Sequence, residues 1–161
     1  MRTSLLIAAT ALLSFVGSTD RVSAAVTVVG GGHDGVYLLE NDDTPCAITS
    51  EPPPRPKHQF DVLIGAETRG RDPKKLTLLM LMIPDADLRE DNHSFFSSIT
   101  FGDIGSGNRY SVETRPDSTV TGSGTVSVRR RGHDATVGFD VTSPSGIEFK
   151  GTIQCVDVAR Y

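Results

Sequence analysis

The chain has no tryptophan, three tyrosines and two cysteines among its 161 residues. Each scarcity removes a class of function. A platform for stacking sugars needs several large aromatic faces, and there is little here to build one from. Cys46 and Cys155 are too far apart in sequence for a Cys-x-x-Cys redox pair or the close-spaced cysteine ligands of a zinc site. Positive charge is also in deficit. Lys+Arg number 16 against 20 Asp+Glu, a net charge of −4 at pH 7, which is the wrong balance for a strongly basic nucleic-acid binder. No Gly-x-Ser-x-Gly elbow and no His-Glu-x-x-His pair is present, so any hydrolase site would have to be assembled from scattered residues. Beyond the N-terminus the longest apolar run is "LTLLMLMI" (76–83), far short of the roughly 20 residues that a membrane-spanning helix needs.

What is there begins with a leader. Arg2 precedes an apolar stretch from Leu5 to Val16, about the length of a signal-peptide core. Val22-Ser23-Ala24 places compact residues at the −3 and −1 positions of a cleavage site after Ala24. The expected organisation is therefore a signal peptide over 1–24 and a single secreted β-sandwich domain over 25–161, with a secreted or extracytoplasmic location. No cysteine lies near the cleavage site to carry a lipid, so no lipid anchor is expected. An exported chain matures where disulfides persist, and with two cysteines only one pairing exists, Cys46–Cys155.

The mature segment reads as strands separated by turn signals. In "GIEFKGTIQC", Ile147, Phe149, Gly151, Ile153 and Cys155 share one face while Glu148, Lys150, Thr152 and Gln154 share the other. That two-residue period marks a half-buried strand. Val137, Phe139 and Val141 alternate in the same way, as do Val126 and Val128, and three such strands in succession form a meander. Upstream, "FDVLIG" (60–65) reads as a strand. "KLTLLMLMI" (75–83) reads as a central strand covered on both sides, with a buried helix as the competing reading because Leu and Met favour helices. "DADLREDNHSFFSS" (85–98) is the one stretch whose composition suits a short helix. "EPPPRPKH" (51–58) must be an extended surface loop, since proline cannot sit in a central strand. The fold class expected is all-β: a small antiparallel sandwich or meander with one disulfide and at most one short helix.

One triplet occurs twice, Gly32-His33-Asp34 and Gly132-His133-Asp134, each time between strand-like segments. If both tips met, His33, Asp34, His133 and Asp134 could hold a metal ion. Glycine and aspartate also supply turn conformations, and the turn is the preferred reading, so no metal and no cofactor is expected. Asp85, Asp87, Glu90 and Asp91 offer hard oxygen ligands but lack the glycine and distal glutamate of a calcium loop. "GDIGSG" (102–107) lacks the following helix of a phosphate loop and reads as a turn. Asn92-His93-Ser94 fits a glycosylation sequon, and "PPPRP" has the form of a polyproline motif but reads as a rigid loop. Two basic clusters, Arg69, Arg71, Lys74, Lys75 and Arg129, Arg130, Arg131, could contact an anionic surface.

The layout from the short first strand through Cys46, "FDVLIGA", "ITFGDIGSGNRYSVETRPDSTVTGSGTVSVRRRGHDATVGFDV" and the closing "FKGTIQC" is similar to the mycobacterial lipoprotein antigens of the LpqH type. The resemblance implies a compact β-sandwich with a Cys46–Cys155 bridge, found at the cell envelope and seen by the host. It brings no catalytic residues. This chain departs from the family at "RVSAAVTVVG", which has neither the lipidated cysteine nor the Ser/Thr-rich tether. The expected function is a secreted, non-enzymatic interaction module that contacts an unknown protein or envelope component. The alternatives are a small-ligand or metal carrier and a hydrolase with a scattered site.

Overall fold

A computed structural model describes residues 22–41, 45–50, 58–65, 72–84, 91–103, 105 and 107–161. Its strands are β1 (Val22–Val29), β2 (Gly35–Asn41), β3 (Cys46–Ser50), β4 (His58–Gly65), β5 (Leu76–Pro84), β6 (Phe96–Phe101), β7 (Asn108–Glu113), β8 (Ser123–Arg131), β9 (Asp134–Thr142), β10 (Glu148–Cys155) and β11 (Ala159–Arg160). They form two sheets, ordered β2-β1-β10-β9-β8 and β11-β3-β4-β5-β6-β7. β1 and β2 form a hairpin in the first sheet, and the chain then crosses over for the meander β3 to β7. It then returns for β8 to β10 and crosses once more to lay β11 parallel to β3. All other strand pairs are antiparallel.

The meander β8-β9-β10 forms as the alternation requires. Val126, Val128, Val137, Phe139, Val141, Phe149, Ile153 and Cys155 are all buried between the sheets. Gly151 lies in their row, opposite Phe139 and Val26. A Cβ there would stand 2.9 Å from the Phe139 Cζ, so the glycine leaves room for the ring to lie across it. Phe60, Val62, Ile64, Leu79, Leu81, Ile83, Ile99 and Phe101 supply the facing layer. The result is one continuous apolar core.

Residues 76–84 form a strand, and pairing with both β4 and β6 decides against a helix. Coverage differs from the expectation, however. Leu79, Leu81 and Ile83 are buried, whereas Leu78, Met80 and Met82 on the outward face are only half-buried, so β5 is sealed on one side. The helix suited to 85–98 also fails over its described part. Asn92 forms an isolated bridge with Val126, and residues 96–98 belong to β6, where β5 and β7 satisfy the backbone on both flanks. Residues 85–90 lie outside the described set. So do 51–57 of the proline-rich segment, while His58 opens β4 instead of ending a loop. Among the described residues there is no helix, and thus none long and apolar enough to cross a membrane.

Cys46 and Cys155 form the disulfide, with Cα atoms 5.8 Å apart. It joins the first residue of β3 to the last of β10, so it ties one sheet to the other across the core.

Candidate functional site

The repeated triplet makes two different turns. In the first, Gly30, Gly31 and Gly32 take φ of 97°, 65° and 76°, a left-handed run that folds the chain back on itself. The Asp34 carboxylate accepts the Gly30 N–H at 2.9 Å, and the His33 N–H donates to the Gly30 carbonyl at 3.2 Å. This tight turn drives His33 inward, where it is 7% exposed. Its ring stacks on Phe101 with centroids 3.9 Å apart, edge-on to Tyr110 at 5.9 Å. The Tyr37 hydroxyl donates to the His33 carbonyl at 2.9 Å. Burial, and secondarily the nearby Asp34 carboxylate, push the Tyr37 phenol above its ordinary pKa. The buried His33 Nδ1 has no hydrogen-bond partner.

In the second triplet, Gly132 takes φ of 66° between Arg131 and Asp134, which pair directly. That is a two-residue hairpin loop of the kind whose first position favours glycine. His133 is exposed. Its carbonyl accepts the Val158 N–H at 2.8 Å, and the Asp134 carboxylate accepts the Asp157 N–H at 3.2 Å. The second triplet therefore clasps the segment leading into β11.

These turns sit at opposite ends of the sandwich. Val29, just before the first, pairs with Glu148 at the start of β10, and Ala135, just after the second, pairs with Cys155 at its end. Strand length puts roughly 24 Å between them, so His33, Asp34, His133 and Asp134 share no site. Among the described residues no three His, Cys, Asp or Glu side chains group to hold a metal ion.

The basic clusters are separated in the same way. Lys74 and Lys75 are exposed in a turn closed by Asp72, whose neighbour in space is Gly102 at the His33 end. Arg69 and Arg71 lie outside the described residues. Arg129, Arg130 and Arg131 are the last three residues of β8. Pairing with Thr136, Ala135 and Asp134 extends the strand to the hairpin tip. Arg129 and Arg131 point outward and are exposed, while Arg130 is half-buried.

Two depressions accompany these features. One, of about 260 Å³, is lined by Arg129, Arg131, Asp134, Thr136, Gln154 and the disulfide-bonded Cys155, with Ala135 and Val156 completing its wall. The other, of about 450 Å³, is bordered by Pro84, Asp91, Asn92, His93, Ser94, Thr114 and Pro116. There the sequon asparagine is only 5% exposed and its backbone is bridged to Val126, which closes it to modification in the folded protein. Asp91, His93 and Ser94 make no hydrogen bonds to one another, so they form no proton relay.

Sequence reading missed Thr136 and Gln154 as neighbours of the arginines. Both could be placed on the outward face by alternation, but only the β8-β9-β10 register aligns them with Arg129. It also missed the stack of cations on Phe96, where Arg109 and Arg115 each lie 5.7 Å from the ring centroid. No protein-family profile, curated protein or solved structure matches this chain.

Proposed function

We propose that the chain is a secreted, non-enzymatic interaction module of the cell envelope or extracellular space, a non-lipidated counterpart of the LpqH-type antigens. The observation that carries this reading is the continuous apolar core between the sheets. A carrier that holds its ligand between sheets needs a lined cavity with convergent polar groups. Here the facing layers fill that space with Phe60, Phe101, Phe149, Leu79, Leu81 and Ile99, each at most 1% exposed. Recognition is left to the outer faces and the ends, where the polar side chains stand. The disulfide-tied scaffold suits a surface that must persist outside the cell.

Export and binding are tested together. Mass spectrometry of the protein from culture medium is expected to give a mature chain beginning at Ala25, which shortens β1 to residues 25–29. That labelled protein is expected to bind isolated envelopes saturably. An intact leader, or hydrolytic turnover by the pure protein that is lost in His33→Ala or His133→Ala, would refute the reading.

A further inference from the structure

We infer that the depression at the end of β8 is a binding site for a phosphate-type oxyanion, held between the guanidinium groups of Arg129 and Arg131. The two arginines leave the same face of β8 two positions apart, about 7 Å along the strand. That spacing lets two planar forks close on a single tetrahedral anion, the geometry in which arginine exceeds lysine as a phosphate ligand. Among the described residues neither side chain has an ion pair or a hydrogen bond. Neither guanidinium is committed to a partner, unlike Arg115, which is held by Glu113 at 2.6 Å.

The wall of the depression is arranged to donate as well. Thr136 donates its hydroxyl to the Gln154 Oε1 at 2.9 Å, which fixes the Gln154 amide and leaves its NH₂ group as a donor. The one carboxylate present, Asp134, is turned to the Asp157 N–H at 3.2 Å and pairs with neither arginine. The floor is rigid, because Cys155 is fixed by the disulfide and the hairpin tip is tied to Val158.

At about 260 Å³ the depression is at or below the small end of ligand pockets, enough for a phosphoryl group with a small attached alcohol or sugar and too small for a dinucleotide cofactor. The phosphate can come free in solution or displayed on an envelope lipid. The lipid source rests on the interaction-module reading; the anion site does not.

The test uses the oxidised protein. Inorganic phosphate is titrated while the backbone amides of residues 129–136 and 154–156 are followed by NMR. Saturable shifts confined to that end are expected, with half-saturation near or below about 1 mM. R129Q/R131Q is expected to weaken binding at least about tenfold with an unchanged melting curve, while K74Q/K75Q leaves it unchanged. Shifts that do not saturate, or that vanish in K74Q/K75Q and persist in R129Q/R131Q, would overturn the site. In a second arm, phosphatidylcholine vesicles with and without phosphatidylinositol are sedimented with the protein. Arginine-dependent recovery only with phosphatidylinositol supports the site and assigns the lipid source; phosphate binding without vesicle recovery supports it and assigns a soluble phosphate ester. Envelope binding retained by R129Q/R131Q, together with no phosphate binding by the parent protein, would remove the site and leave the interaction module standing.

Discussion

His33 lies flat against Phe101, ring planes 12° apart and centroids 3.9 Å apart, whereas His133 in the same triplet projects into solvent. One three-residue word thus yields a core side chain in one place and a hairpin tip in the other. His33→Ala removes a stacked, buried ring and is expected to cost about 2–3 kcal/mol. His133→Ala is expected to stay within about 0.5 kcal/mol of the parent. Urea melts of the two variants provide the comparison, and equal losses would contradict these assignments.

The disulfide should contribute strongly. Its two cysteines are 109 residues apart, so the bridge restricts a large part of the unfolded ensemble. Reduction is expected to lower stability by about 2–5 kcal/mol. A melting curve unchanged in reductant, with both thiols shown to be free, would refute this.

Acid should weaken the β7 edge. Arg115 donates to Glu113 through Nε at 2.8 Å and through Nη2 at 2.6 Å, and these bonds hold the Glu113 carboxyl below its ordinary pKa. Because the folded value is the lower one, the stabilisation is fully present above about pH 4.5, the ordinary glutamate value, and is lost as pH falls through the lowered value. Arg115→Gln should flatten the stability profile below that pH. A parallel acid limb in parent and variant would show that Glu113 is not its source.

Ser97 offers a route to greater stability. Its hydroxyl is fully buried without a hydrogen-bond partner, on the core face between Leu81 and Val112. Ser97→Ala is expected to gain about 1 kcal/mol by removing an unsatisfied polar group. A loss of stability on thermal or chemical denaturation would mean that the hydroxyl is satisfied in solution.

Alternation in Val126–Val128, Val137–Val141 and Phe149–Cys155 made the second meander legible, because each strand has one wet face and one dry one. β5 was ambiguous for the opposite reason. Its apolar residues occupy both faces, and only pairing with β4 and β6 separates Leu79 and Leu81 from the half-exposed Met80 and Met82. Residues 96–98 misled because Phe96-Ser97-Ser98 carries no alternation, and β11 is two residues long. The inward turn of His33 was hidden as well: a Gly-His-Asp triplet reads as an exposed loop unless Phe101 and Tyr110, some 70 positions later, are known to wait beneath it. The arginine depression failed in the same non-local way, since Gln154 meets Arg129 only through β9.

The bridge also makes a covalent ring of residues 46–155, with β3 through β10 inside it and β1, β2 and β11 outside. A protease that cuts once within the ring releases nothing: both pieces stay linked through the cystine and migrate as one band until reductant is added. A cut between β2 and β3 behaves differently, because it frees a piece held by non-covalent contacts alone, among them the pairing of β1 with β10 and the His33 stack on Phe101. Of the strands outside the ring, that hairpin is the larger part of the sandwich a single cut can detach.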